Sequence, residues 1–125
     1  MPNIVIIGTC DTKLNELLYL RSQIFELDSK SNVILVDAGR SSVQHEAITV
    51  TQDTLSSRYA PKEGSKNVSE LQRGEVINYM ISCASNWLQE TYQHGINNAE
   101  SALHGIVTAG ELLHCHKHSS VQRTA

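Results

Sequence analysis

The densest run of side chains able to do chemistry is Gly8-Thr9-Cys10-Asp11-Thr12-Lys13. It follows a continuous apolar stretch, NIVIIG over 3–8, and leads into a helical pattern from about residue 12. A helix N-terminus offers free N–H groups and the positive end of its dipole, which suits phosphate or carboxylate. Thr9 and Thr12 add hydroxyls, Lys13 adds a cation that can close on an anion, and Asp11 can hold a magnesium ion or a ribose hydroxyl. In open α/β sheets ligands bind outside the carboxyl ends of the strands, where this run is expected to lie. The run is neither GxxxxGK[ST] nor GxGxxG, and an N-capped helix with a solvent-facing lysine explains the same residues on local grounds.

Asp37 ends a second apolar run, NVILV over 32–36, and so belongs to the same sheet edge. An acidic residue there can meet a ribose, or can simply cap a loop. Arg73, in the run Arg73-Gly74-Glu75 at the start of a long helical pattern, can reach a phosphate or stand in solvent. His114, Cys115, His116 and His118 crowd into five residues, whereas structural zinc sites draw ligand pairs from either side of a longer loop. No metal site is expected there. Cys10, Cys83, His45, His94 and His104 have no spacing from which a triad can be built.

The elements that must position these residues follow from hydrophobic pattern. Buried strands are expected near 3–8, 32–36, 47–50 and 102–107, and helices near 12–27 and 68–94, with a helical turn over 52–60 and Gly95 as the stop of the long helix. Apolar runs alternating with helical periodicity predict an α/β fold with a parallel sheet. At 125 residues the chain suits one domain or part of a larger one, and with 5% aromatic residues its core rests on Leu, Ile, Val and Ala. A net charge of −3 with scattered Lys and Arg argues against nucleic-acid binding. Apolar runs of about five residues are far too short for a bilayer span, and the N-terminus lacks the pattern of a secretory signal. Three cysteines without a pairing pattern fit a cytoplasmic protein with reduced thiols.

Four stretches together resemble the Tm-1-like, UPF0261 family. GTCDTKLNELLYLR resembles its GT-x-DTK opening, NVILVDAG its second strand ending in VD, LQRGEVINYM its RGEAI-x-x-M helix start, and HGIVTAG the strand that enters a GGSGGT loop. The resemblance implies a Rossmann-like open parallel sheet flanked by helices. It also implies ATP binding at Gly8, Thr9, Asp11, Thr12, Lys13, Asp37, Arg73 and Gly110, with Mg2+ accompanying the nucleotide. It covers residues 3–110 and stops where Glu111-Leu112-Leu113 replaces the glycine loop. An incomplete N-terminal half-domain over 1–110, with a divergent, disordered tail over 111–125, is therefore expected, binding ATP weakly or not at all. No reaction comes with the resemblance. The alternatives are an ATP-dependent hydrolase or transferase half-site, and a non-binding fragment whose open sheet takes a second copy or a partner chain.

Overall fold

The computed structural model of the chain describes residues 2–62, 64, 66–97 and 102–108. Three strands, β1 (Asn3–Gly8), β2 (Asn32–Asp37) and β3 (Gly105–Thr108), form one sheet in the order β2-β1-β3. Both pairings are parallel, with Ile6 opposite Leu35 and Val107. The expected α/β open sheet is thus present. The helices are α1 (Cys10–Leu27), α2 (Gln52–Arg58) and α3 (Arg73–Asn97), with a 3-10 turn over Val68–Glu70 just ahead of α3.

The central strand is apolar over residues 4–7 because both of its faces are covered. Successive strand residues point to opposite faces. Val5 and Ile7 pack with Val36, Val76, Met80, Cys83 and Trp87, while Ile6 packs with Leu35, Cys10 and Leu17. Helix α3 thus covers one face and α1 the other. Fully burying an aliphatic side chain of this size contributes about 1.5–3 kcal/mol. Val5, Ile6, Leu17, Leu35 and Met80 are all wholly inaccessible to water.

Three expectations are corrected. The stretch 47–50 is not a strand: only Val50 bridges to Val36, in parallel, and the chain around it serves as an edge clasp for β2. Leu35 N–H donates to the Thr49 hydroxyl, and Thr49 and Val50 N–H both donate to the Leu35 carbonyl. Two N–H groups converging on one carbonyl cannot continue a ladder. Gly95 does not stop α3, which runs through it to Asn97. The last strand starts at Gly105 rather than 102, because Ala102 and His104 are spent on Asn3: its side-chain amide donates to the Ala102 carbonyl, and its N–H to His104 Nδ1. Gly110 and the whole 111–125 segment, with its His and Cys residues, lie outside the described residues. Among the described residues no helix is long and apolar enough to cross a membrane.

Candidate functional site

Strands β1 and β2 run in register, so Gly8 and Asp37 end side by side and the loops that follow them meet. The ladder is prolonged one step past the strands by Ala38 N–H donating to the Gly8 carbonyl. Beside this junction, where α3 begins, lies a cleft of about 290 Å³ lined by Thr9, Asp11, Thr12, Arg40, Arg73 and Val76, among others.

Helix α1 begins two residues earlier than its sequence pattern suggests. Thr9 is the N-cap, its carbonyl accepting from the N–H groups of Thr12 (3.2 Å) and Lys13 (2.8 Å). Its side chain caps nothing; the Thr9 and Thr12 hydroxyls instead share a 2.8 Å hydrogen bond. Lys13 has non-helical backbone angles (φ −127°, ψ 22°), is exposed and does not line the cleft.

The two carboxylates do something different from what their positions suggest. Asp37 is fully buried, and its Oδ1 accepts N–H from Cys10 (3.1 Å) and Gly39 (2.9 Å). It does not line the cleft, although its neighbour Ala38 does. Its Oδ2 is buried without a hydrogen-bond partner, and burial raises its pKa above the ordinary aspartate value. Asp11 reaches across to the loop after β2, where its Oδ2 accepts N–H from Arg40 and Ser41, each at 3.2 Å. Asp37 and Asp11 therefore both tie the two loops together.

One chemical consequence is immediate. The N–H groups of Cys10, Gly39, Arg40 and Ser41 are the donors that a phosphate would seek at these loops, and the protein's own carboxylates already hold them. The polar side chains that line the cleft are Thr9, Asp11, Thr12, Arg40 and Arg73. Arg40 was not singled out by sequence; its only signal there was its place three residues after a strand-ending aspartate. Burial first and the charge of Asp37 second push the Cys10 thiol up to about 12, which holds it in the thiol form at neutral pH. Among the described residues no group of three His, Cys, Asp or Glu side chains can hold a metal ion.

Gly8 plays a packing part. A Cβ there would stand 2.6 Å from Leu17 Cδ2, so the glycine marks the close approach of α1 to β1. The cleft thus brings together Thr9, Asp11, Thr12 and Arg73 from the expected set, and leaves Asp37, Gly8 and Lys13 out of its lining.

Residues 2–112 match the uncharacterised protein family UPF0261, N-terminal domain. The chain belongs to the UPF0261 family. No curated protein matches it. The match spans both strand-end loops, the start of α3 and all of β3, so every part of the cleft lies inside the UPF0261 domain.

Within this UPF0261 domain, Gly39 is the contact between the two carboxylates. A Cβ there would lie 2.4 Å from Asp11 Oδ1 and 3.0 Å from Asp37 Oδ1. Asp37 is buried and cannot yield, so Asp11 must swing away and release Arg40 and Ser41. Gly39→Ala is expected to cost about 1–2 kcal/mol, the scale of modest overpacking plus weakened hydrogen bonds. In an Asp11→Ala background the cost should fall by about half, a coupling that a double-mutant cycle in urea reads directly. Equal costs in the two backgrounds would show that Asp11 is not the obstacle.

Proposed function

We propose that the cleft binds the phosphate end of a nucleotide, ATP with its magnesium ion, and binds it weakly. The observation that carries this reading is the convergence of two hydroxyls and two guanidiniums on one cleft at the carboxyl ends of β1 and β2. Open α/β sheets place ligands at that edge. Guanidinium forks match phosphate oxygens with charge-assisted, often bidentate hydrogen bonds. At about 290 Å³ the cleft is at the lower bound for sites that enclose a whole drug-sized ligand, which favours the anionic part of the nucleotide over its base. Weakness follows from the backbone donors already held by Asp11 and Asp37. With no three-ligand cluster among the described residues, magnesium would come bound to the phosphates, which together with water satisfy most of its octahedron. Cys10 and Cys83 are free and buried, which suits a reducing cytoplasm.

Titration of the 15N-labelled chain with Mg-ATP tests this. Saturable shifts centred on Thr9, Thr12, Arg40 and Arg73 are expected, with a dissociation constant of order 1 mM, or roughly −4 kcal/mol. At about ten times that constant the ligand should add nearly 1.4 kcal/mol of stability. Shifts that do not saturate, or that centre on the opposite edge around Asn3 and His104, would refute the site.

A further inference from the structure

The Arg40 backbone and side chain are held in different ways. Its N–H donates to Asp11 Oδ2 at 3.2 Å, and its carbonyl accepts from Nε2 of the buried Gln52, also at 3.2 Å. The Cα is therefore fixed from both sides beside the cleft. The guanidinium is exposed and donates to the carbonyl of Leu71, two residues before α3. Among the described residues it meets no carboxylate. A guanidinium carries five N–H donors in a planar fork, and one neutral carbonyl leaves most of that capacity unused.

We propose that Arg40 is a latch: it holds the segment before α3 through the Leu71 carbonyl, and leaves that carbonyl for a di- or triphosphate group entering the cleft. Charge-assisted hydrogen bonds are roughly twice as strong as neutral ones, so a polyphosphate outcompetes a backbone carbonyl for the same fork. The exchange is favoured by the occupancy of the loop donors, since Asp11 and Asp37 leave an incoming anion no N–H from Cys10, Gly39, Arg40 or Ser41. Releasing Leu71 has a consequence at a distance. The other hydrogen bonds of the residues ahead of α3 are local, Leu71 N–H to the Val68 carbonyl at 3.2 Å and Gln72 N–H to Glu75 Oε1 at 3.1 Å, while Val68 is buried in the core and Leu71 packs against it as an apolar anchor. Anion binding should therefore loosen 68–72 while it orders Arg40. The inference rests on the reading above only in requiring a phosphate-bearing ligand, and it holds for a polyphosphate without a nucleoside.

The probe is inorganic tripolyphosphate, with Mg-ATP and adenosine as separate titrants, on the full chain and on its Arg40→Ala and Arg40→Lys variants. Because the guanidinium is exposed, both variants should retain the circular dichroism of the parent. Tripolyphosphate should bind the parent saturably and raise amide hydrogen exchange across 68–72. Arg40→Ala should weaken binding at least tenfold, and its exchange across 68–72 should be high from the start and indifferent to the probe. Arg40→Lys should bind between the two, since it keeps the charge without the fork. If Arg40→Ala binds tripolyphosphate and Mg-ATP as the parent does, the latch is wrong and the nucleotide reading stands. If tripolyphosphate binds with the predicted exchange pattern but Mg-ATP binds no better, the latch stands and the nucleoside half of the proposed function falls. If the parent binds ATP but not tripolyphosphate, or binds neither, the latch is overturned.

Discussion

Asp37→Ala is expected to cost the chain about 3 kcal/mol of stability, and Asp37→Asn much less. The alanine variant leaves the N–H groups of Cys10 and Gly39 buried without the acceptor they now share. Each buried donor so orphaned costs about 1–3 kcal/mol, offset in part because a buried carboxylate no longer has to be desolvated. Asparagine keeps a carbonyl oxygen in the Oδ1 position and removes the charge. It places an amide where Oδ2 now has no partner, so some cost remains. The pH dependence separates the charge from the hydrogen bonds. Burial is the largest cause acting on Asp37 and raises its folded-state pKa. The folded chain therefore holds this proton more tightly than the unfolded one, and the resulting stability is complete below the ordinary aspartate range of about 4. It is lost as pH rises through the elevated folded value. Urea denaturation of parent and Asp37→Asn from pH 4 to pH 7.5 should show the parent's advantage shrinking steadily toward neutral pH. An advantage that grows with pH would mean that Asp37 is stabilised as the anion and that the two N–H bonds outweigh burial.

The sheet was legible in the sequence for a plain reason. NIVIIG and NVILV are apolar without alternation, and only burial on two faces tolerates that pattern. The α3 face was legible by period, though Tyr79 and Cys83 join its core beside the more obvious Val76, Met80 and Trp87. What the sequence could not convey was the partner of each polar group. Asp11 and Asp37 sit where ligand-binding carboxylates sit, yet one oxygen of each accepts N–H groups from a loop about 30 residues away or from its own neighbours in the chain. Such pairings are set by how two loops meet in space, and no local spacing encodes them. Arg40 was overlooked for the same reason, since its relation to Leu71 exists only once α3 is folded against the sheet. The stretch 47–50 misled because β-branched residues suit an edge clasp as well as a strand, and Gly95 misled because helix propensity is overridden by packing earlier in a long helix.

Gly8→Ala is expected to cost about 2–3 kcal/mol, through packing alone. Its backbone places no demand on glycine, because Gly64 is the one glycine with a positive φ among the described residues. The demand is spatial: the added methyl would stand 2.6 Å and 2.9 Å from the two Leu17 methyls and 3.3 Å from Leu17 Cγ. Leu17 is completely buried against the sheet among Ile6, Cys10 and Leu35, so its methyls can shift only by displacing these neighbours or the backbone of α1 or β1. Overpacking of this kind costs about 1–3 kcal/mol, and contact with three atoms of one fully buried side chain places it toward the upper end. The decisive comparison is in a Leu17→Ala background. That substitution alone should cost about 2–5 kcal/mol by leaving a cavity. Gly8→Ala added to it would put a methyl group into that cavity and should be neutral or mildly stabilising. The cycle should therefore return a favourable coupling of about 2 kcal/mol between residues that are nine apart in sequence. If Gly8→Ala costs the same with and without Leu17, the glycine is required for something other than the approach of α1, and the assignment of Gly8 to packing rather than to a ligand would have to be abandoned.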